Sequence, residues 1–102
     1  MGNELLWVSS IQEDFKRIPE KDRDAIIARC EKAALNPEHF LERLKGFPYF
    51  KIKVGKYRVI VIWEKDITIY ALLVDLRKKV YDRMQREDKK LQQAYAESKQ
   101  SY

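Results

Sequence analysis

Apolar residues recur at helical spacing in the first third of the chain. Ile11, Phe15 and Ile18 fall on one face of a helix, and Pro19 ends or kinks that segment. Ahead of it, Leu5-Leu6-Trp7-Val8 reads as a short first strand. Ser9 or Ser10 offers a hydroxyl to a free N–H of the first helical turn, with Glu13 at capping-box distance. A second helix is expected from about Glu20 to Leu35, burying Ala25, Ile26, Cys30 and Ala33 or Ala34, and Asn36-Pro37 stops it. The two segments form a helical hairpin. "EHFLERLKG", residues 38–46, reads as a short helical turn closed by Gly46.

From residue 50 the period changes to two. Phe50, Ile52 and Val54 alternate with Lys51 and Lys53, so a strand would turn the lysines to one face and the apolar side chains to the other. Gly55-Lys56 suits a two-residue hairpin turn, where glycine supplies a positive φ. Tyr57 to about Trp63 is a continuous, largely β-branched run, the mark of a central strand covered on much of both faces. "EKD" at 64–66 is the next turn, and Ile67 to Val74 a third strand of the same meander. Beyond Arg77 the chain is polar and basic. Residues 82–102 read as a charged helix with a frayed end, whose apolar stripe is only Met84, Leu91 and Tyr95. The fold class is therefore α+β: an N-terminal helical hairpin packed on a small, mostly antiparallel twisted sheet, with a C-terminal charged helix or tail. The opposite sheet face is expected to be partly open, with Lys51 and Lys53 projecting from it. A single domain over 1–83 and an extension over 84–102 complete this organisation.

Composition narrows the class. With 102 residues, 45% of them hydrophobic, the chain suffices for one modest core. It has no apolar run long enough for a bilayer and no signal-peptide pattern, so a soluble cytoplasmic protein is expected. Cys30 has no partner for an internal disulfide and sits among apolar neighbours, as a buried thiol does.

Charge changes the picture more. Residues 1–44 carry 7 Lys/Arg against 9 Asp/Glu, whereas residues 45–90 carry 13 against 6. A basic second half suits a polyanionic partner, foremost nucleic acid. Lys45, Lys56, Lys78, Lys79 and Arg83 are the candidate RNA contacts. His39 is the only histidine, which rules out a two-histidine ribonuclease and leaves it a surface or capping role. The chain lacks Cys/His zinc spacing, a carboxylate cluster and a glycine-rich phosphate loop, so neither metal nor cofactor is expected.

Two longer stretches carry a family pattern. "LKGFPYFKIKVGKYRVIV" and "LLVDLRKKVYDR" resemble the RelE/ParE superfamily of bacterial and archaeal toxin–antitoxin systems, most closely its RelE-like branch. The shared elements are a leucine-x-glycine, a Lys-x-Lys strand, a glycine turn before Tyr-Arg-Val-Ile, a closing Arg-x-x-Val-Tyr, and the helical hairpin ending in Asn-Pro. The likeness spans about residues 5–83. It implies a metal-independent endoribonuclease that cleaves messenger RNA in the ribosomal A site; the ParE branch instead inhibits DNA gyrase and is no nuclease. Carried over by position, the RelE-like catalytic set is Lys51, Lys53, Arg58, Arg77 and Tyr81. The implied partners are the ribosome with its mRNA and a cognate antitoxin, acidic and partly disordered when free, wrapped over the basic surface. Lys56 and Asp75 depart from the pattern, standing where an acidic residue and a glycine are frequent. Leu76 stands where a histidine or other polar residue is common. Asp75 is near enough in sequence to pair with Arg77 and dampen its role.

The chemistry is coherent in itself. Cleavage by the neighbouring 2′-hydroxyl requires that this hydroxyl lose its proton, that a pentavalent phosphorane be stabilised, and that the leaving 5′-oxygen gain a proton. Clustered cations serve the second need directly, and a tyrosine can stack on a base or join in proton transfer. Which group is acid and which is base stays open at this stage.

Overall fold

The computed structural model describes residues 3–64 and 67–100. In chain order the elements are β1 (Glu4–Trp7), α1 (Ile11–Lys16), α2 (Glu20–Leu35), α3 (Pro37–Phe40), β2 (Glu42–Arg43), β3 (Phe50–Val54), β4 (Tyr57–Glu64), β5 (Thr68–Leu76), α4 (Arg77–Arg86) and α5 (Asp88–Gln100). The strands form one sheet ordered β1-β5-β4-β3-β2. Neighbours are antiparallel except β1, which pairs parallel to β5. The β3–β4 turn closes over Gly55 at φ +55°, as its sequence required.

Strand register sorts the side chains by face. Ile52, Val54, Val59 and Val61 look toward α1 and α2, where Ile26, Cys30, Ala33 and Ala34 meet them. Tyr57 lies on that side and donates its hydroxyl to Asp22 of α2 at 3.1 Å. Trp7 meets Phe15 of α1 edge-on at 5.5 Å. Ala25 is exposed rather than buried: it neighbours Ile26 in sequence and so points about 100° away from the Ile26–Cys30 stripe.

Two further expectations give way locally. Ser10 makes no side-chain cap, because its own backbone is helical (φ −65°, ψ −20°), outside the extended geometry a capping hydroxyl needs. Carbonyls of Val8, Ser9 and Ser10 accept from the first N–H groups of α1 instead. The helical turn after Asn36 stops at Phe40. Leu41 is buried with an extended backbone, and it draws Glu42 and Arg43 out as an edge strand against Lys51 and Phe50.

The second sheet face is covered, not partly open. Ile60, Ile62, Tyr70 and Leu73 are apolar side chains on that face, and α4 and α5 bury them under Val80, Met84 and Leu91. Tyr95 packs edge-on against Tyr70 at 4.9 Å. The Tyr49 hydroxyl donates to Asp88 and accepts from Gln92 Nε2, and Lys99 pairs with Glu64 at 3.1 Å. The thin stripe of Met84, Leu91 and Tyr95 thus suffices to dock residues 84–100, because it meets aromatic and polar partners already fixed on β3, β4 and β5. The expected turn at 64–66 falls partly outside the described residues, as do the last two residues of the tail. Among the described residues no helix is long and apolar enough to cross a membrane.

Three buried tyrosines make this packing sensitive to alkali. Burial, then the bond to Asp88, pushes the Tyr49 hydroxyl up to about 12, and burial with Glu64 does the same for Tyr70. Tyr57 moves upward through burial and Asp22. Each folded pKa lies above the unfolded value near ~10, so this stabilisation is complete below that value and disappears as pH rises toward about 12. Circular dichroism and tyrosinate absorbance followed together should therefore show cooperative unfolding coincident with tyrosine ionisation in that window. Stepwise ionisation at constant secondary structure would contradict it.

Candidate active site

The α4 side of the sheet carries the cations. Lys51 is half-buried on β3, held between Glu42 of β2 and Ile60 of β4, and its Nζ lies 5.7 Å from the centroid of the Tyr81 ring. Lys53, Arg58 and Asp75 form a row across β3, β4 and β5 on the same face. The Lys53 ammonium pairs with Glu42 at 3.1 Å, both side chains about half exposed, so water screens the pair and a phosphate competes for it easily.

Arg58 is buried beneath the turn. Its Nη1 donates to the Gly55 carbonyl at 2.8 Å and to the Tyr57 carbonyl at 2.7 Å, fixing the guanidinium as part of the hairpin. Arg77 opens α4, and its backbone N–H donates to the Lys56 carbonyl at 2.8 Å. Its side chain is exposed and has no partner among the described residues. Four residues separate it from Tyr81, so the two share a helix face, the one that meets Lys51.

Asp75 does not pair with Arg77. Its carboxylate accepts from the Leu76 N–H at 2.7 Å and from Arg83 Nη1 at 3.2 Å, because Arg83 reaches back from the second turn of α4. Arg77 is thereby left available.

Arg83, expected to face RNA, is the hub of an internal ionic network instead. Besides Asp75, its guanidinium meets Asp14 at 2.5 Å and Glu87 at 2.9 Å. Asp14 is 3% exposed and also accepts from the Val74 N–H at 3.1 Å, taking the place of a strand beyond the end of β1. Burial opposes the charge of Arg83, but the bonds from Asp14 and Glu87 more than offset it and hold the guanidinium pKa above its ordinary value. Nothing local in the sequence marks Asp14, which meets Arg83 across 69 positions.

The other candidate contacts stand apart. Lys56, Lys78 and Lys79 line a groove on the side of α4 away from Tyr81, and Lys45 is exposed in the loop before β3. Glu42, the partner of Lys53, was hidden because its segment reads as helix rather than edge strand. Cys30 is buried and burial pushes its thiol up to about 12, which leaves it unreactive. His39 is exposed, its ring edge-on to Phe40. No group of His, Cys and carboxylate side chains able to hold a metal ion occurs among the described residues.

Comparison with known proteins gives consistent results. A family model described as "ParE toxin of type II toxin-antitoxin system, parDE" matches residues 5–81. No curated protein matches the sequence. Among solved structures, the chain is similar to the RelB–RelE antitoxin–toxin complex of Methanococcus jannaschii, with 29% identity and a TM-score of 0.61 over 76% of this chain and 95% of that one. It is also similar in fold to a free arginine double mutant of the E. coli toxin RelE, with 18% identity and a TM-score of 0.66 over 80% and 93% of the two chains. The RelE–RelB complex of Pyrococcus horikoshii matches with 19% identity and a TM-score of 0.59, over 76% and 97%.

Proposed function

Since the chain belongs to the ParE toxin family of type II toxin–antitoxin systems, within the RelE/ParE superfamily, we propose that it is a ribosome-dependent endoribonuclease that arrests translation by cutting mRNA in the A site. The observation that carries this reading is the contact of Lys51 with Tyr81, with Lys53, Arg58 and Arg77 on the same side of the sheet. A gyrase-binding surface has no need of cations clustered on rigid strands beside a tyrosine. A phosphate in reaction does, because charge stabilises a phosphorane only when it is already positioned.

In this mechanism the scissile phosphate displaces Glu42 from Lys53 and lies between Lys51 and Lys53. Arg77 closes on it from α4. Arg58, fixed under the turn, adds a buried positive charge that needs no reorganisation. Tyr81 stacks on the nucleotide whose 2′-hydroxyl attacks, and Lys51 keeps the ring oriented. Attack forms the bond from the 2′-oxygen to phosphorus as the 2′-hydroxyl proton passes to one side chain of the Lys51, Lys53 and Tyr81 cluster. The bond to the 5′-oxygen breaks, and that oxygen takes a proton from another of them. A 2′,3′-cyclic phosphate, or a 3′-phosphate after its hydrolysis, remains beside a 5′-hydroxyl. The chain's own side chains suffice for these steps. The partner that restrains it is a cognate antitoxin, as the antitoxin–toxin complex of Methanococcus jannaschii supports; the basic second half of the chain suits an acidic one, partly disordered when free. The site of action is the cytoplasm, where ribosomes translate.

The family match itself favours one second reading, inhibition of DNA gyrase without nuclease activity. Expression from a tightly repressed promoter separates the two. The nuclease reading expects new 5′ ends confined to translated codons, absent with Arg77→Ala. Growth arrest with intact mRNA and gyrase-dependent DNA breaks would overturn it.

A further inference from the structure

A second cavity lies on the other face of the sheet, at the end of β3 and β4 remote from their shared turn. It encloses about 470 Å³ and is lined by Glu38, Arg43, Pro48, Phe50 and Trp63. Phe50 shares the face of Ile52, and Trp63 that of Val61, yet unlike those two they remain half-buried. Their rings meet edge-on, with centroids 5.5 Å apart and planes at 77°. The indole is held in place, because its Nε1–H donates to Asn3 Oδ1 at 3.2 Å. Arg43 pairs with Phe50 across β2 and β3, and its guanidinium lies 5.8 Å from the Phe50 centroid. Glu38 reaches the same cavity from α3. The two opposite charges do not meet, and neither makes an ion pair among the described residues.

We propose that this cavity binds a guanine base, carried by single-stranded RNA or by a free nucleotide. Two rings set nearly at right angles form a corner in which a planar base stacks on one and meets the edge of the other. An apolar side chain entering here would draw both charges out of water with nothing to bond them. A base bonds both. Guanine alone among the four RNA bases presents two adjacent N–H donors, N1–H and N2–H, which suit a carboxylate such as Glu38. Its O6 and N7 accept from a guanidinium such as Arg43. Adenine and cytosine set an acceptor beside their amine, and uracil flanks its one N–H with carbonyls, so each would turn a lone pair toward Glu38. The place also suits RNA. Arg43 follows Glu42 on the edge strand, so its side chain lies across β2 from the Glu42–Lys53 pair, and a strand of RNA rounding that edge meets both. The inference does not depend on nuclease activity.

The test uses the full chain with Trp7→Phe, which leaves Trp63 as the only indole and makes its emission the reporter of stacking. The ligands are guanosine monophosphate and three uncleavable 2′-O-methyl pentamers, UUGUU, UUAUU and UUUUU. UUGUU should quench Trp63 and bind about tenfold more tightly than UUUUU, with UUAUU close to UUUUU. Glu38→Ala should reduce that preference to less than about twofold, and Phe50→Leu should weaken guanine binding about fivefold. Lys51→Ala, on the opposite face, should leave the preference within about twofold of its starting value. Melting curves check that each variant folds. Equal affinity of guanosine monophosphate and UUGUU would identify a free nucleotide as the source, and tighter binding of UUGUU an RNA base; either upholds the site. Unquenched emission, equal binding of the three pentamers, a preference that survives Glu38→Ala, or one lost with Lys51→Ala would each overturn it.

Discussion

Lys51→Ala should reduce mRNA cleavage by about 10²–10³-fold with almost no change in folding stability. The side chain is half-buried in the middle of β3, between paired residues on both neighbouring strands, so its ammonium is aimed rather than diffuse. Truncation removes a positioned charge and also the cation that holds the Tyr81 ring. Both losses fall on the transition state, so kcat should drop more than affinity for the ribosome. Lys51→Arg should recover part of the rate because charge returns. Lys51→Met should recover none, although it restores the apolar stem. The variant should remain within about 1 kcal/mol of the parent in urea denaturation, since Lys51 lies outside the buried core and makes no ion pair among the described residues. Single-turnover cleavage on stalled ribosomes measures this, and a rate near that of the parent would remove Lys51 from the mechanism.

Arg83→Met should cost about 3–5 kcal/mol of stability, the loss expected when one partner of a buried pair is removed and a charge is left behind. The guanidinium is mostly covered and serves three carboxylates, and Asp14 is almost fully buried. A typical domain has only about 5–15 kcal/mol in total, so the variant would lie close to the unfolding threshold. Asp14→Asn added to Arg83→Met should restore part of the loss, because the stranded carboxylate is gone, and urea midpoints of the four forms give the coupling directly. A loss below about 1 kcal/mol for Arg83→Met would show that water reaches the network and that α4 is held by Val80 and Met84 alone.

The contrast between these two residues shows what the chain reveals in order and what only its folding reveals. Patterns set by near neighbours were readable: the span of α2, the alternation of β3, the glycine turn and the central position of β4. So was the placing of Lys51 on the face opposite Ile52. Contacts between distant positions were not. The parallel pairing of β1 with β5 leaves no local periodicity. The docking of α5 depends on Tyr49 and Tyr70 meeting side chains that by themselves look too sparse to pack. Arg83 and Lys79 are alike as sequence, two basic residues in one basic helix, yet Asp14 draws the first inward and leaves the second on the groove. The same geometry turns Asp75 toward Arg83 and away from Arg77.

The most direct measurement is cleavage by the purified chain of mRNA held on ribosomes with a defined codon in the A site, with the chemical ends of the products identified. The expected result is a cut within that codon, a 2′,3′-cyclic or 3′-phosphate beside a 5′-hydroxyl, and no cut when the attacking nucleotide lacks its 2′-hydroxyl. Intact mRNA under these conditions, together with loss of supercoiling when the chain is added to gyrase, would contradict it.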